Sequence, residues 1–426
     1  RGRRGMNETR NIIASLEFGE KESQICYYDR KEKNPVSLAV KTGTTEYTFP
    51  TRLSKRPKTN IWHFGAESEY FSKYEGEILV EDVLNLCMKG EPVEIDGEVH
   101  EVEELLEVFL KGCLSMLGVG EPQRQIKILM ITTPNLNRVF IRKLQKVCRH
   151  LNFANGQVLI QDYNESFYYY AMRTRHDNAN RSTGLFCFDK NRVHFRKLWI
   201  DTTTKPMIAR VEVGKSELLS ENPKKRDKRF AEMIEKCCGE ESYSNLYLIG
   251  EGFDKEWAVD SLTALCKNQR RVYYGNNLYV RGACFAALEK SEDKTLGNYL
   301  YVGEALVKNH ITMNMNIQGK DQIYTVTEGG KNWYETEHTF ELILDEKEDL
   351  EFTLQPMDGE KPFVHTMKLK GLPKRPKKAT RLRIQAVYES ADCCVVFVED
   401  LGFGELFPSS GLKWTEKIRW QEAEHE

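Results

Sequence analysis

The hydrophobic period of this chain changes once, and that change limits its possible folds more than any other feature. Between positions 12 and 288, short apolar runs alternate with stretches whose apolar residues recur at every third or fourth position. Beyond that the period becomes two. The runs read as buried strands, the wider spacing as helices with one buried stripe, and the strict alternation as half-buried strands.

In the first region, residues 12–18 and 24–28 predict two strands around a tight turn at Gly19. Residues 93–99 carry Asp96-Gly97, a strong hairpin signal. Val102, Leu105, Leu106, Phe109, Cys113 and Leu117 form one stripe and predict a helix over 101–117. Strands at 126–131 and 158–160 flank a helix starting at Asn137, with Phe140, Leu144, Val147 and Leu151 on one face. A helix over 165–173 closes this half. The plan then repeats, with strands at 185–188, 193–200 and 207–213 and a helix at 229–238. A strand at 246–249 and helices at 255–266 and 279–288 complete it. Alternation of this kind predicts an α/β domain with helices on both sheet faces.

Residues 291–297 are polar and charged and read as a linker. Beyond them Phe340, Leu342 and Leu344 alternate with Thr339, Glu341 and Ile343, and Leu382, Ile384, Ala386 and Tyr388 alternate with Arg383, Gln385 and Val387. Strands near 311–317, 334–344, 350–354, 364–369, 381–388 and 393–398 predict an all-β sandwich. The expected domains are 7–290 and 297–420, with Met6 taken as the start and Arg1 to Gly5 set aside.

Composition removes several classes. Lys and Arg total 62 against 64 Asp and Glu, a net charge of −2, unlike a chain that coats nucleic acid or an anionic membrane. The longest apolar run, 393–398, is far short of the ~20 residues of a spanning helix. No apolar stretch follows the basic first residues, so no signal peptide is expected. The eleven cysteines show no metal-type spacing, which points to a reduced, cytoplasmic protein. The histidines contain no His-Glu-x-x-His pair, and Ser410-Gly411 lacks a nucleophile-elbow context. The basic runs 374–378 and 224–229 read as a solvated strand-edge loop and a helix start rather than phosphate sites. Tyr168, Tyr169 and Tyr170 read as packed aromatics rather than a base-stacking platform.

Four stretches taken together carry a resemblance. Glu17-Phe18-Gly19 resembles a first phosphate motif. Ile131-Thr132-Thr133-Pro134 with Asp162-Tyr163-Asn164-Glu165-Ser166 resembles a strand–helix–connection segment. Leu185 to Asp189 resembles a second phosphate motif, and Leu248-Ile249-Gly250-Glu251-Gly252 with Arg281-Gly282-Ala283 resembles an adenosine motif and second connection. In this order they are similar to the actin and DnaK-type heat-shock chaperone superfamily of ATPases. Residues 64–67 and the 93–97 insert look DnaK-like. Leu369-Lys370-Gly371-Leu372-Pro373, followed by Leu382-Arg383-Ile384, resembles the chaperones' substrate-binding sandwich.

The resemblance implies a two-lobed, ribonuclease H-like ATPase domain followed by a β-sandwich, with ATP or ADP and magnesium between the lobes. It places Glu17, Glu165 and Asp189 as catalytic candidates and Gly19, Gly250, Gly252 and Gly282 as cofactor-binding residues. No residue is assigned as a direct metal ligand. The departures point away from hydrolysis. Glu20 and Glu22 stand where small hydroxyl residues are expected, and a carboxylate ~4 Å from a phosphate repels it by up to ~4 kcal/mol at intermediate dielectric. Lys190, Asn191 and Arg192 follow Asp189 where glycines are expected, removing an amide nest. The segment 201–244 is short for the lobe that walls the adenine pocket. Too few residues follow Trp414 for a helical lid.

The expectation is a chaperone-like adaptor with weak or lost hydrolysis, binding a polypeptide through its β domain near 314–318 and 322–327. No nucleic acid or membrane partner is expected. The alternatives are an active ATP-dependent chaperone and an actin-like filament or cell-division protein.

Overall fold

The computed structural model describes residues 11–420, apart from 42, 176–180, 240, 346–348 and 358. The expected start at Met6 and the residues before it lie outside the described residues. The chain divides into two units that meet at Val302–Gly303.

In unit 1, the strand β1 (Ile12–Phe18) is buried along nearly its whole length, its polar Ser15 and Glu17 included. It pairs antiparallel with β2 (Glu22–Asp29), which pairs antiparallel with β3 (Asn34–Ser37). On its other side β1 lies parallel to β4 (Ile126–Thr133), and β4 parallel to β5 (Val158–Asp162). The order is β5-β4-β1-β2-β3. A second sheet repeats it: β6 (Ser182–Asp189), β7 (Arg192–Asp201), β8 (Met207–Leu218), β9 (Tyr243–Glu251) and β10 (Arg271–Tyr274) stand in the order β10-β9-β6-β7-β8 with the same directions.

The helices repeat as well. In the first half α1 (Val102–Ser115) precedes β4, α2 (Arg138–His150) joins β4 to β5, and α3 (Tyr163–Thr174) follows β5. In the second, α4 (Pro223–Cys238) precedes β9, α5 (Val259–Leu265) joins β9 to β10, and α6 (Leu278–Leu288) follows β10. On one face of the first sheet Phe18 stacks on Phe109 of α1, ring centroids 4.7 Å apart, and meets Phe140 of α2. On the other face Ile13, Cys26 and Met130 pack on Val280, Ala283 and Ala287 of α6. The second sheet places Phe186 and Phe188 against Phe230 and Ile234 of α4, and Leu185 and Tyr247 against Phe167 of α3. Both sheets are therefore covered on both faces. The Asp96-Gly97 turn joins two short strands with positive φ at both residues, as the hairpin signal requires.

The expected linker 291–297 belongs to unit 1 instead. Glu292 takes Arg30 and Lys127 at 2.8 Å each, and Tyr299–Tyr301, here β11, pairs parallel with the start of β8. A charged stretch looks like a linker until its partners, far away in sequence, are known. Between β8 and β9 only α4 stands among the described residues. All eleven cysteines are free thiols. No helix of the described residues is long and apolar enough to cross a membrane.

Unit 2 is a sandwich of two four-stranded antiparallel sheets. One has the order β13 (Lys320–Thr327), β12 (Asn309–Ile317), β15 (Asp349–Pro356), β16 (Phe363–Lys368). The other has β14 (Glu337–Leu344), β17 (Thr380–Ser390), β18 (Cys393–Asp400), β19 (Lys413–Arg419). Ile311, Phe352 and Leu354 of the first meet Leu382, Ile384, Val396 and Val398 of the second in one core. Residues 334–336 fall outside β14: Trp333–Glu335 form a single 3-10 turn and Thr336 follows it in extended conformation. The expected contact loops at 314–318 and 322–327 are largely strand: they form the β12–β13 hairpin, turning at Gln318 and Gly319 with positive φ. The covered Arg375 side chain and the buried Asp400 pin the loop after β18 through paired bonds of 2.8 and 2.7 Å, so the basic run 374–378 is only partly solvated.

Candidate functional site

Strand register builds a buried polar row that no single motif shows. Gln24 on β2 pairs with Glu17 on β1, Glu17 with Thr132 on β4, and Thr132 with Gln161 on β5. Residues opposite one another across a sheet share a face, so all four side chains turn toward α3 and α6. All four are buried. Ser166 of α3 bonds Thr132 and accepts from Gln161 Nε2, both at 2.7 Å. Tyr163, at the start of α3, donates to Glu17 Oε1 at 3.1 Å, and Gln24 Nε2 donates to the Asn276 carbonyl at 2.7 Å.

The row continues to the second sheet. The Tyr163 ring stacks on Tyr279 of α6, centroids 3.9 Å apart and nearly parallel. The Tyr279 hydroxyl accepts from Arg196 at 2.6 Å and lies 3.2 Å from Cys187 Sγ. Asn276 Oδ1 accepts from the Gly250 N–H at 2.8 Å. Burial dominates the electrostatics. It pushes the Glu17 carboxyl from 4.5 up to about 8, against the opposing bonds from Tyr163 and the Val280 N–H. It also holds the Tyr163 and Tyr279 phenols well above their ordinary range and raises the Cys187 thiol despite the neighbouring Arg196.

Of the residues singled out from the sequence, Glu17 and Gly19 stand at the end of β1, and Asp189, Gly250 and Gly252 at the paired ends of β6 and β9. Lys21 spans these two ends, 3.8 Å from Asp189, but both side chains are about 70% exposed and such a pair contributes little. Glu165 lies apart from them: its carboxylate takes Lys290 at 3.1 Å, past the end of α6, while Asp162 caps α3. Gly282 lies apart too, at the crossing of α3 and α6. A Cβ there would collide with the Ser166 carbonyl, one at Gly250 with that of Phe188, and one at Gly252 with that of Lys190. At Gly19 a Cβ would meet the Glu22 carbonyl. Each glycine serves close approach between segments of the protein itself.

Arg226 of α4 secures the β6–β7 turn. Its guanidinium donates to the Lys190 carbonyl, to Gly252 O at 2.9 Å and to Asn191 Oδ1 at 2.7 Å. The next residue, Asp227, caps α5 by accepting from the N–H groups of Asp260 and Ser261, each at 2.8 Å. The basic run 224–229 thus opens a helix and turns two of its charges inward.

These residues do not fit a magnesium–triphosphate group. Phosphates need converging free donors, and their metal needs ionised carboxylates. Here burial pushes the Glu17 carboxyl up to about 8, the Lys190 N–H is taken by Glu251 O at 2.7 Å, and Tyr163 and Tyr279 stack between the strand ends. Thr132 and Ser166 stood inside quoted motifs without a role, and Gln24, Gln161, Arg196, Asn276 and Tyr279 were not legible as site residues. Apart from Arg196, which is mid-strand, their one signal is a polar residue near the end of an apolar strand or a helix start, and only register aligns them.

A duplicated α/β unit with a polar seam between its sheets, followed by a β-sandwich, is the class of protein that fold and site define. Residues 34–304 match the family described as "Family of unknown function (DUF5716) C-terminal", and the chain belongs to that family. Residues 306–420 match the "Domain of unknown function (DUF8552)". No curated protein matches the chain.

Proposed function

We propose that unit 1 is an actin-like scaffold that has given up ATP hydrolysis, and that unit 2 binds a polypeptide partner, making the chain a DnaK-like adaptor. The observation that carries this is the Tyr163–Tyr279 stack beside the buried Glu17 carboxyl, at the strand ends where the resemblance puts nucleotide phosphates. The matching strand order of the two sheets and the α3–α6 crossing support the actin-like reading. The partner is an extended segment that adds to the outer edge of β13, an edge strand whose Ile323 is 70% exposed.

The test is a melting-temperature titration of the whole chain with MgATP. A Kd above ~1 mM gives under about 0.5 kcal/mol at ~1 mM ligand, hence a shift under about 2 °C. A shift of many degrees with steady turnover would replace this reading with the active chaperone.

A further inference from the structure

Glu17 Oε2 and Gln24 Oε1 are both buried, and among the described residues neither has a hydrogen-bond partner. The two residues are directly opposite each other on β1 and β2, on one face. Turning the Gln24 amide over does not repair this, because its Nε2 is committed to the Asn276 carbonyl. Two acceptors side by side lack one donor, and a single proton supplies it. We propose that Glu17 is a protonated carboxylic acid in the folded protein, and that its Oε2–H, donated to Gln24 Oε1, completes a hydrogen-bonded latch between the two sheets of unit 1.

The latch is continuous. Tyr163 Oη donates to Glu17 Oε1, Glu17 Oε2 to Gln24 Oε1, Gln24 Nε2 to Asn276 O, and Gly250 N on β9 to Asn276 Oδ1. Loss of the Glu17 proton removes the middle link and leaves a buried anion. The surroundings do not compensate that charge. Glu22 on β2 and Glu20 in the turn are carboxylates, while Tyr163 of α3 and Tyr279 of α6 remain neutral phenols. Arg196 on β7 bonds Tyr279 and Cys187, and Lys21 faces Asp189. The Val280 N–H at the start of α6 is the remaining donor toward Glu17. Burial favours the protonated form up to about pH 8, so the latch releases in mildly alkaline solution.

Infrared difference spectra of the full chain, wild type minus Glu17→Gln, test the protonation directly. A protonated-acid carbonyl band is expected at pH 6.5 and absent at pH 9.5; its absence at pH 6.5 overturns the proposal. Gln24→Met removes the acceptor and should move the midpoint of that band down by at least ~1 pH unit, a ten-fold shift in the proton equilibrium. An unchanged midpoint places the proton elsewhere and overturns the latch. Amide exchange at Gly250 and at 278–281, corrected for intrinsic rates, should rise at least about ten-fold from pH 6.5 to 9.5 in wild type and stay flat in Glu17→Gln. Equal rises in both proteins also overturn it.

Discussion

Glu17 and Asp400 are both buried carboxylates, and their neighbours push them in opposite directions. The bidentate Arg375 guanidinium, with Ser410 and the Gly402 N–H, holds Asp400 well below the usual carboxylate range. Among the described residues Glu17 has no cation in contact, and desolvation raises it to about 8. Below about pH 4.5 Glu17 is protonated folded or unfolded and has no effect. Between about 4.5 and 8 only the unfolded chain ionises, so stability falls by roughly 1.4 kcal/mol per pH unit, and above about 8 it levels off. Denaturant titrations at several pH values should show that decline in wild type. Glu17→Gln should lack it and be roughly 3–5 kcal/mol more stable than wild type at pH 9. A parallel pH profile in the two proteins would show that Glu17 is ionised in the fold. The sequence marks Glu17 as a strand-end acid beside Gly19, but its protonation depends on Gln24, Tyr163 and Val280, which are distant in the chain or read as ordinary strand and helix residues.

At the scale of elements, α6 explains why the two halves of unit 1 hold together. Ten of its eleven residues, all but Arg281, are buried, so it reads as a core helix with no exposed stripe. Its first turns lie against α3, close enough that only glycine fits opposite the Ser166 carbonyl. Gly282→Ala should therefore force the helices apart and cost about 3 kcal/mol, more than the small gain in helix propensity returns. Denaturant unfolding measures this; a neutral or stabilised variant would show that the crossing is loose. The helix itself is legible from its apolar residues at 279–288. Its partner is not, because an evenly apolar helix points to no side. The same limit explains β13, whose polar Lys320, Asp321 and Gln322 hide an edge strand. Its pairing with β12 supplies the backbone bonds that the side chains do not advertise.

At the scale of the whole molecule, the division at Val302–Gly303 makes a sharper fragment experiment than the linker at 291–297 would. Residues 303–420 carry both sheets of the sandwich and a shared core including Phe352, Leu382, Ile384 and Val396. A domain of this size buries enough apolar surface to stand alone. The fragment should give a dispersed amide spectrum and a cooperative melt, and a collapsed, undispersed spectrum would show that it depends on unit 1. A fragment begun at 297 would carry β11 without its partner β8 and should associate or precipitate more readily.

What the sequence by itself determined is local. Apolar period placed most strands of both sheet systems, the Asn137 cap and the Asp96-Gly97 turn, because helix stripes, caps and turns involve residues close in the chain. It also exposed the two features that argue against phosphate binding, the acids at 20 and 22 and the bulky residues after Asp189. Tertiary structure decided the rest. Which strands adjoin, that Gln24, Glu17, Thr132 and Gln161 form one row, that Glu165 faces Lys290 rather than Asp189, and that four glycines receive protein backbone are all matters of long-range register. Much of it depends on contacts between residues far apart in the chain, such as Glu17 with Thr132 and Glu165 with Lys290, and the hydrophobic pattern of one strand says only which of its faces is buried, never against what.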